Sequence, residues 1–481
     1  MKLFVFAAVI FFAAVGSVAA FELETRVYPA DETVTLRIRA TSKWALDWIK
    51  KSADFTPEML RRTGKNKVIP PVGQCFEEHS FSTKAEYNSR GYPAPLKFKI
   101  DGNEIIVTVQ LKGENFHKIV FAKPPVPEQK RPDVRWVKVM TLEKEAFKLR
   151  PFKGNLHQHS NVSDGRFEPE KHTAYARIAG FDYFGLSDHR KYEQNPKVIA
   201  VAADSRCGLT VYPAEELHTP ASILHGLSIG ASKAHSYSGK RTPAWMKEVQ
   251  PILEELAAKY PKHPREQMLA WAESILLARR AKADGALTVY CHPSWVPRFS
   301  RNNTVAMAEC LMQRPEFDAV EIVNGSMNNK SRRENCETLA MFHEICVKTG
   351  SLKAVMSSSD SHNVASPSYA RNYNVIFAPD CTFPSFKEAY LNGRAVAAYD
   401  IDPTPAKNKP QPLFFGTSSY VRYANFLDEV GYWKRHDEVA RKQGELLLKY
   451  FAGDETVVPQ IVELAEEINR IREALYYRSG K

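Results

Sequence analysis

Between residue 150 and about residue 400, short apolar runs alternate with helical patterns, and this alternation constrains the fold more than any other feature of the chain. The runs, in order, are "GNLHQH" (154–159), "FDYFGLSDH" (181–189), "LTVYPAEELHT" (209–219), "SILHGLSIGA" (222–231), "ALTVYCHPSW" (286–295), "FDAVEIVNGS" (317–326) and "LKAVMSSSDSH" (352–362). Pro169 at one helix start and Gly180 beyond its end agree with the rules of helix capping. Seven strands alternating with helices predict a parallel sheet closed into an α/β barrel.

Most of these runs contain or end in ionisable side chains. Six of the fourteen histidines lie within or at the end of a run: His157, His159, His189, His225, His292 and His362. Carboxylates occur in the same places, at Asp188, at Glu215 or Glu216, and at Asp360. Barrel enzymes build their sites where the strands end, so we expect these groups to converge. His172 and His343 lie on predicted helices and are expected to be packed or solvated.

The stretch "GNLHQHSNVSDG" (154–165) shows why a metal is the expected ligand. In an extended strand alternate side chains share a face, so His157 and His159 project together. The turn at Ser163-Asp164-Gly165 can swing a carboxylate back over them. Two imidazoles and a carboxylate that converge suit a divalent ion such as Zn²⁺, Mn²⁺ or Fe²⁺.

The motifs "HQHSNVSDG", "FGLSDH", "AEELH", "LHG", "CHPSW" and "SSSDSH" resemble, in order and spacing, those of the PHP (polymerase and histidinol phosphatase) superfamily of metal-dependent phosphoesterases. The resemblance covers roughly residues 150 to 400 and implies a distorted seven-stranded TIM-like β/α barrel with two or three divalent ions. It implies nine ligands: His157, His159, Asp164, His189, Glu216, His225, His292, Asp360 and His362. Glu216 would bridge two ions. The layout looks most like the exported, carbaryl-hydrolase-type branch.

Two positions depart from the family pattern. Asn155 stands where the family usually has Asp, and Ala214 stands where it usually has Gly. Neither position is a direct ligand, so the departures concern the orientation of ligands rather than metal binding. The choice of Glu216 over Glu215 comes from the resemblance alone, because a strand buried on both faces has no usable alternation.

The resemblance implies hydrolysis of a small organic phosphate ester. A bound metal lowers the pKa of water to about 7, and a neighbouring metal can stabilise the leaving oxygen. Arg190 directly follows His189 and is a candidate to grip a phosphoryl oxygen, the alternative being a surface ion pair. His218 shares the face of Glu216 and is a candidate proton donor, substrate contact or packed residue. Asn324 and Ser294-Trp295 are candidate pocket walls.

Three other functions compete with this one. A carbamate or carboxylic ester hydrolase could use the same metals. An inert surface or glycan-binding protein would be free to lose ligands, which the complete set argues against. A polymerase-associated exonuclease is disfavoured by the apparent signal peptide and by the lack of a polymerase segment.

The flanking regions predict further domains. Residues 1–20, "MKLFVFAAVIFFAAVGSVAA", have the pattern of a secretory signal peptide, the alternative being an uncleaved membrane anchor. No later run reaches the roughly 18 apolar residues of a membrane span. Residues 21–148 read as a β-sandwich domain that includes a hairpin turning at Asp101-Gly102, with a long loop around 64–95. Residues 149–400 form the barrel, and residues 401–481 a helical extension after a proline-rich joint. The mature protein is therefore expected to be secreted or periplasmic.

Charge and cysteine usage narrow the partners. The net charge is +11, but the basic residues are spread out, which disfavours nucleic acid and fits a small anionic substrate. Seven scattered cysteines without a CxxC pair argue against a disulfide scaffold. They are expected to be small buried residues, with one or two bridges left open.

Overall fold

The computed structural model describes residues 21–43, 45–47, 75–78, 97–123, 133–220, 224–295, 304–325, 329–399 and 412–478. The predicted signal peptide lies outside these ranges, as do most of the loop predicted around 64–95 and most of the proline-rich joint after 400. Within the described residues, no helix has the length and apolar character needed to cross a membrane. The chain divides into two compact units, one comprising 1–147, 403–410 and 474–481, the other 148–402 and 411–473.

The first unit holds two four-stranded sheets. Its elements are β1 (Phe21–Glu22), β2 (Val27–Pro29), β3 (Thr33–Ala40), β4 (Cys75–Glu78), β5 (Lys97–Asp101), β6 (Glu104–Gln110), β7 (Asn115–Lys123), β8 (Asp133–Leu142) and the short helix α1 (Lys144–Phe147). The sheet orders are β1-β3-β6-β5 and β2-β8-β7-β4. Alternate residues of β3 are buried, and Leu36, Ile105 and Val139 contribute to one core shared by both sheets.

Two predictions for this unit can be compared with the structure. The β5–β6 hairpin is confirmed, with Asp101 paired to Glu104 and Gly102 at a φ of 56° in the turn. Glycine reaches this left-handed conformation at little cost. The predicted long loop is interrupted by β4, which pairs with β7 and is too short to show a periodic pattern. The sandwich class stays a prediction for this unit.

The second unit is built on a ten-stranded, nearly closed, barrel-like sheet. Its strands are β9 (Arg150–Asn155), β10 (Tyr183–Leu186), β11 (Thr210–His218), β12 (His225–Ile229), β13 (Leu287–Tyr290), β14 (Ala319–Val323), β15 (Ala354–Ser357), β16 (Asn372–Ala378), β17 (Ala395–Tyr399) and β18 (Leu413–Phe415). Their order is β15-β14-β13-β12-β11-β10-β9-β16-β17-β18. All seven predicted strands are present and adjacent, and β16, β17 and β18 extend the sheet beyond them.

The direction of β12 differs from the predicted parallel sheet. β12 is antiparallel to both β11 and β13, and His218 pairs with His225 across the β11–β12 ladder. The reason is the length of the connection. Only six residues join these two strands, whereas a parallel crossover needs a dozen or more. The first residues of β12 therefore lie at the rim where β11 and β13 end.

Side-chain hydrogen bonds link the two sides of the sheet where no ladder does. The Ser357 N–H donates to Asn374 Oδ1 at 2.8 Å, and Asn374 Nδ2 donates back to the Ser357 carbonyl at 2.7 Å. The Ser357 hydroxyl donates to the Ala398 carbonyl at 2.7 Å. These contacts hold β15 against β16 and β17, and thereby give the sheet its barrel-like shape.

Helices cover the sheet of the second unit. They are α2 (Pro169–Ile178), α3 (Asn195–Asp204), α4 (Pro243–Lys259), α5 (Arg265–Ala283), α6 (Val305–Gln313), α7 (Asn329–Thr349), α8 (Phe383–Leu391), α9 (Ser418–Glu429), α10 (Tyr432–Phe451) and α11 (Val458–Ala474). The predicted limits of α2 are confirmed, since Pro169 begins it and Gly180 follows it at a φ of 77°. Two apolar cores lie on the sheet, one containing Leu217 and Tyr290, the other Tyr212 and Ala214.

The cysteines of the described residues are unbridged. Cys207, Cys291 and Cys310 are buried, whereas Cys346 and Cys381 are half-buried. Cys336 is exposed, so the expectation that all are buried is wrong for this residue, which lies on an outer position of helix α7. The side chain of Cys75 lies outside the described set.

Candidate metal centre

The strands of the barrel deliver the predicted ligands to one rim. His157 and His159 follow β9, His189 follows β10, and Glu216 lies near the end of β11. His225 begins the antiparallel β12. The remaining predicted ligands also follow the ends of their strands or lie in adjoining turns: Asp164, His292, Asp360 and His362. All nine predicted side chains are therefore brought to the same end of the sheet.

Glu216 lies at the centre of this cluster. Its Oε2 lies 2.5 Å from His189 Nδ1, 3.4 Å from His157 Nε2, 3.5 Å from His159 Nε2 and 3.9 Å from His218 Nε2. Its Oε1 lies 2.7 Å from His225 Nδ1 and 3.3 Å from His292 Nε2. Six imidazole nitrogens thus surround one buried carboxylate.

Strand register explains why Glu216, and not its neighbour, takes this place. Tyr212 and Ala214 pack together in one core, and Glu216 continues their face of β11 at period two. Glu215 points the other way, where its carboxylate accepts the backbone N–H groups of His235 at 2.7 Å and Ser236 at 3.1 Å. The two glutamates therefore have different partners, despite being adjacent in sequence.

A second group of ligand atoms lies closer to solvent. Asp164 Oδ2 is 3.5 Å from His189 Nε2 and 3.2 Å from His362 Nε2. The ring of His159 stacks on that of His189 and on that of His362, with centroid distances of 4.2 and 4.3 Å. These four side chains place one ligand atom each within 4.8 Å of the others. This group is accessible to solvent on one side, since 53% of the Asp164 side chain is exposed.

The turn that carries Asp164 depends on a glycine. The Gly165 N–H donates to the Ser160 carbonyl at 2.8 Å, which closes the turn over the end of β9. A Cβ atom at residue 165 would lie 1.9 Å from the carbonyl oxygen of His159. Only glycine fits there, so the Asp-Gly pair is what lets this carboxylate fold back over the histidines.

Asp360 joins the two groups. Its Oδ1 lies 3.0 Å from His159 Nε2 and 3.4 Å from His157 Nε2. Each of the trios His157–His159–Asp360 and His157–Glu216–His292 could hold an ion, because its ligand atoms lie within 4.8 Å of one another. The arrangement has the ligand types and number that several divalent ions require.

Several buried polar atoms of the cluster lack a hydrogen-bond partner in the described part of the chain and are of the types that bind metal ions. His157 Nε2, Glu216 Oε2 and both ring nitrogens of His225 are buried and lack a hydrogen-bond partner among the described residues. Buried polar atoms without partners are costly and rare, and His157 and Glu216 belong to one group whose ligand atoms lie within 4.8 Å of one another. Their donor set of imidazole nitrogen and carboxylate oxygen is the one that zinc, manganese and iron accept.

Electrostatics keep the carboxylates charged. Burial alone would raise the pKa of Glu216, but His225 and His157 outweigh it and hold the pKa well below its usual value. Burial would likewise raise the pKa of Asp360, and His157 and His159 lower it. Burial lowers the pKa of His218 to about 4 despite the nearby carboxylate. The site thus presents anionic oxygens and at least one neutral imidazole.

Backbone strain is concentrated at this rim. Of the five non-glycine residues with positive φ in the described ranges, three lie here: Arg190 at 57°, His292 at 27° and Asp360 at 46°. Such conformations cost roughly 1–3 kcal/mol each and persist where the surroundings impose them. At His292 and Asp360 the backbone turns away from the direction of the preceding strand, and the side chain of each residue reaches the cluster.

Glu321 is a site residue that the sequence reasoning missed. Its carboxylate accepts hydrogen bonds from His157 Nδ1 at 2.9 Å, from the His292 N–H at 2.8 Å, from Asn324 Nδ2 at 2.8 Å and from the Ser358 hydroxyl. It therefore directs His157 Nε2 toward the cluster, as carboxylates behind metal-binding histidines do. The available signal was a single glutamate inside the apolar strand "AVEIV".

Asn155 and Asp188 also act behind the cluster. Asn155 Oδ1 accepts the His157 N–H at 3.1 Å, and its Nδ2 donates to Ser359 Oγ at 2.9 Å. Asp188 accepts from the Ser160 N–H at 2.7 Å and from the Ser163 hydroxyl at 2.7 Å. The first fixes the backbone beside a predicted ligand, and the second holds the loop that carries Asp164.

The other predicted site residues take varied places. Arg190 is exposed at the rim, and His218 is buried beside His189 and His225. The Trp295 ring lies 5.3 Å from that of His292, whereas Ser294 accepts from Thr338 and Asn324 supports Glu321. The expectations for the helical histidines are confirmed, since His172 is buried and His343 is exposed.

Comparisons with known proteins are distant. No family model and no curated relative matches the chain. A two-domain protein from Bacteroides vulgatus with a predicted PHP-like metal-dependent phosphoesterase has 18% identity and a TM-score of 0.33 over 52% of this chain and 66% of its own. A candidate metal-dependent phosphoesterase from Bifidobacterium adolescentis has 16% identity and a TM-score of 0.31, covering 45% and 89%.

An amidohydrolase from Chromobacterium violaceum, solved with bound sulfate and no metal, has 17% identity and a TM-score of 0.26, covering 44% of this chain and 87% of its own. All three TM-scores lie below 0.5, so these likenesses do not establish a shared activity. The function has to be argued from the residues of the chain itself.

Proposed function

We propose that the chain is an exported, metal-dependent hydrolase of the PHP type that cleaves a small organic phosphate ester. One observation carries the proposal. Glu216 is buried among six imidazole nitrogens within 3.9 Å, yet its Oε2 accepts no hydrogen bond. A carboxylate surrounded in this way suits a bridge between two cations.

The cluster would hold two or three divalent ions. The candidate groups are the buried trio around Glu216, the trio around Asp360, and the outer quartet with Asp164. Ions bound there would supply Lewis-acid activation of water and of the phosphoryl group. The residues of the chain orient these ligands: Glu321 fixes His157, and Asn155 fixes the backbone that precedes the two β9 histidines.

An anionic substrate is supported by the charge at the rim. The Arg190 N–H donates to the Glu216 carbonyl at 3.3 Å, and the Arg166 N–H donates to the His362 carbonyl at 3.0 Å. Both side chains are exposed and arise from backbone that is anchored to the cluster. Cationic groups around a cleft raise the local concentration of an anionic ligand, and a guanidinium can bind two phosphoryl oxygens at once.

The test compares wild type with Arg190→Lys, both reconstituted with Mn²⁺ or Zn²⁺. Elemental analysis should find two or three ions per chain in each protein. Wild type should hydrolyse p-nitrophenyl phosphate, and the variant should do so at least about tenfold more slowly. Lysine keeps the positive charge but cannot donate two parallel hydrogen bonds to the phosphoryl oxygens, as a guanidinium can. Hydrolysis of p-nitrophenyl acetate is the internal control and should be nearly unchanged.

Three outcomes would contradict the proposal. Fewer than one ion per chain after reconstitution would exclude a multi-metal site. Hydrolysis of the acetate or of a carbamate without hydrolysis of the phosphate would favour the ester or carbamate alternative. Equal slowing of both substrates by Arg190→Lys would mean that Arg190 does not recognise the phosphoryl group.

A further inference from the structure

His218 is held firmly beside the cluster without belonging to the nine predicted ligands. It shares the Glu216 face of β11 and lies directly opposite His225 on β12. Its N–H donates to Ser236 Oγ at 3.0 Å, and its carbonyl accepts the Tyr237 N–H at 3.0 Å. The residue is 5% exposed, so its ring has little freedom to turn away from the site.

The ring of His218 meets that of His189. His218 Nε2 lies 2.7 Å from His189 Nδ1, in hydrogen-bonding geometry. The other nitrogen of His189, Nε2, faces Asp164 in the outer quartet. A histidine binds metal through one nitrogen when the other carries the proton, and the partner of that proton sets the tautomer. His189 therefore needs a hydrogen-bond acceptor at Nδ1.

Two atoms could provide that acceptor. Glu216 Oε2 is nearer, at 2.5 Å from Nδ1, but the direction of the N–H favours His218 Nε2 as the hydrogen-bond partner. It is also the oxygen that the other imidazoles surround. The hydrogen bond of Nδ1 is made to His218, which leaves Glu216 available to the centre of the cluster.

We propose that His218 is a positioning residue whose Nε2 accepts the Nδ1–H of His189 and so directs His189 Nε2 into the outer quartet. This inference rests on the proposed metal-dependent function. The alternative is a role for His218 as a tenth ligand, since His189, Glu216 and His218 place one ligand atom each within 4.8 Å of one another. The hydrogen-bonding geometry between His218 Nε2 and His189 Nδ1, at 2.7 Å, favours the positioning role.

The experiment compares His218→Gln with His218→Leu, using Zn²⁺ and Mn²⁺ as the probes. The carbonyl oxygen of glutamine can accept the Nδ1–H of His189, whereas leucine cannot. Loss of such a partner costs about 10- to 100-fold in metal affinity, so His218→Leu should weaken one ion of the set by that factor. His218→Gln should restore binding close to that of wild type.

Metal affinity is measured by chelator competition and stoichiometry by elemental analysis, and Co²⁺ absorption reports the coordination of each site. His117→Leu is the matched control, because it removes a buried imidazole on β7 of the first unit, where His117 contacts Thr141, and should leave every affinity unchanged. Circular dichroism and the unfolding midpoint check the fold. If His218→Leu does not fold, His218→Met replaces it as the poorly accepting variant.

The outcomes separate this inference from the proposed function. Wild type that binds no ion would overturn both. If wild type binds its ions and the His218→Leu or His218→Met variant binds them equally well, only the role of His218 is overturned. Complete loss of one ion in both the glutamine and the leucine variants would make His218 a ligand, and equal weakening in both would make its role purely structural.

Discussion

The two ends of the barrel each bury a cluster of carboxylate and imidazole groups, but the clusters are built in opposite ways. At the carboxyl end, Glu216 Oε2 has four imidazole nitrogens within 3.9 Å and accepts no hydrogen bond. At the amino end of β10, Asp182 accepts from Arg472 Nη2 at 2.6 Å, from His436 Nε2 at 3.0 Å and from the Lys153 N–H at 3.0 Å. Among the described residues, Glu216 is crowded by imidazoles and has a single long hydrogen bond, between its Oε1 and His292 Nε2 at 3.3 Å, whereas Asp182 accepts three shorter ones.

The difference separates a structural cluster from a binding site. Buried charges stabilise a fold only when hydrogen bonds and opposite charges compensate their desolvation. Asp182 meets this condition through helices α10 and α11, which carry His436 and Arg472 to the base of the sheet. At Glu216 the imidazoles keep the carboxylate charged, but Oε2 accepts no compensating hydrogen bond from the described residues, and positive φ values at His292 and Asp360 add strain there. Such a cluster is consistent with stabilisation by a ligand.

The largest effect should come from Glu216→Gln at the crowded end. This change removes one unit of charge from the proposed bridge, and we expect loss of at least one ion and a decrease in kcat/KM of at least about 10³-fold, or about 4 kcal/mol. Glu215→Gln is the matched control, because Glu215 faces away from the cluster and accepts the backbone N–H groups of His235 and Ser236. Its cost should be about 1 kcal/mol of stability, with metal content unchanged. Elemental analysis and steady-state kinetics measure both, and a reversal of the two results would refute the assigned register.

The next largest effect should come from Asp182→Asn at the hydrogen-bonded end. Removing one partner of a buried ion pair typically costs about 3–5 kcal/mol, and Arg472 would lose its counter-charge. We expect an effect near the lower limit, since asparagine keeps one acceptor. Urea denaturation measures it. Metal content should stay at the wild-type level in the folded protein, and a parallel loss of metal would show that the two ends are not independent.

The smallest effect is a change of stability with pH, in which His436 and Asp182 act at opposite ends of the pH range. Burial would lower the pKa of His436, but Asp182 outweighs it and raises the pKa. The stabilisation from His436 is therefore complete below its unfolded pKa of about 6.5 and is lost as the pH rises through the folded value. Burial would raise the pKa of Asp182, but Arg472 and His436 hold it well below the usual value, so its contribution is lost only as the pH falls below about 4.

The measurement is urea denaturation of metal-free protein across pH, for wild type and His436→Gln. The difference in stability between the two proteins should shrink above pH 6.5, since only wild type has this imidazole to deprotonate. The acid limb, which depends on Asp182, should remain in both. A difference that stays constant from pH 5 to pH 9 would show that folding does not shift the pKa of His436, and a contribution of His436 that grows as the pH rises from 5 to about 6.5 would show that the native imidazole is neutral.

Much of the site could be predicted from the sequence, because metal-binding residue types occur at the ends of the predicted strands. His157 and His159 at alternate positions, and Asp164 before a glycine, identify a metal-binding pattern without any tertiary information. Glu321 could not be recognised in the same way. A lone glutamate in a strand acquires a role only when the fold places His157 and Asn324 beside it.

The choice between Glu215 and Glu216 shows a different limit. Both side chains are buried, so burial and periodicity along β11 do not distinguish them. Pairing with neighbouring strands decides which face joins the core of Tyr212 and Ala214, and therefore which glutamate reaches the cluster. The resemblance to a known family supplied the choice at the level of sequence, and the register supplies its physical reason.

By itself, the sequence determined the alternation of strands and helices, the seven adjacent strands and the set of side chains at their ends, because these depend on local periodicity and residue chemistry. Only the tertiary structure decided the antiparallel direction of β12, the three additional strands and the hydrogen bonds of Ser357 and Asn374 that link the sides of the sheet. It also decided that Asp182 is compensated by several hydrogen bonds, whereas Glu216 Oε2 accepts none within the part of the chain that the structure describes. These features depend on residues far apart in the chain, such as Asp182 and Arg472, whose partners no local pattern specifies.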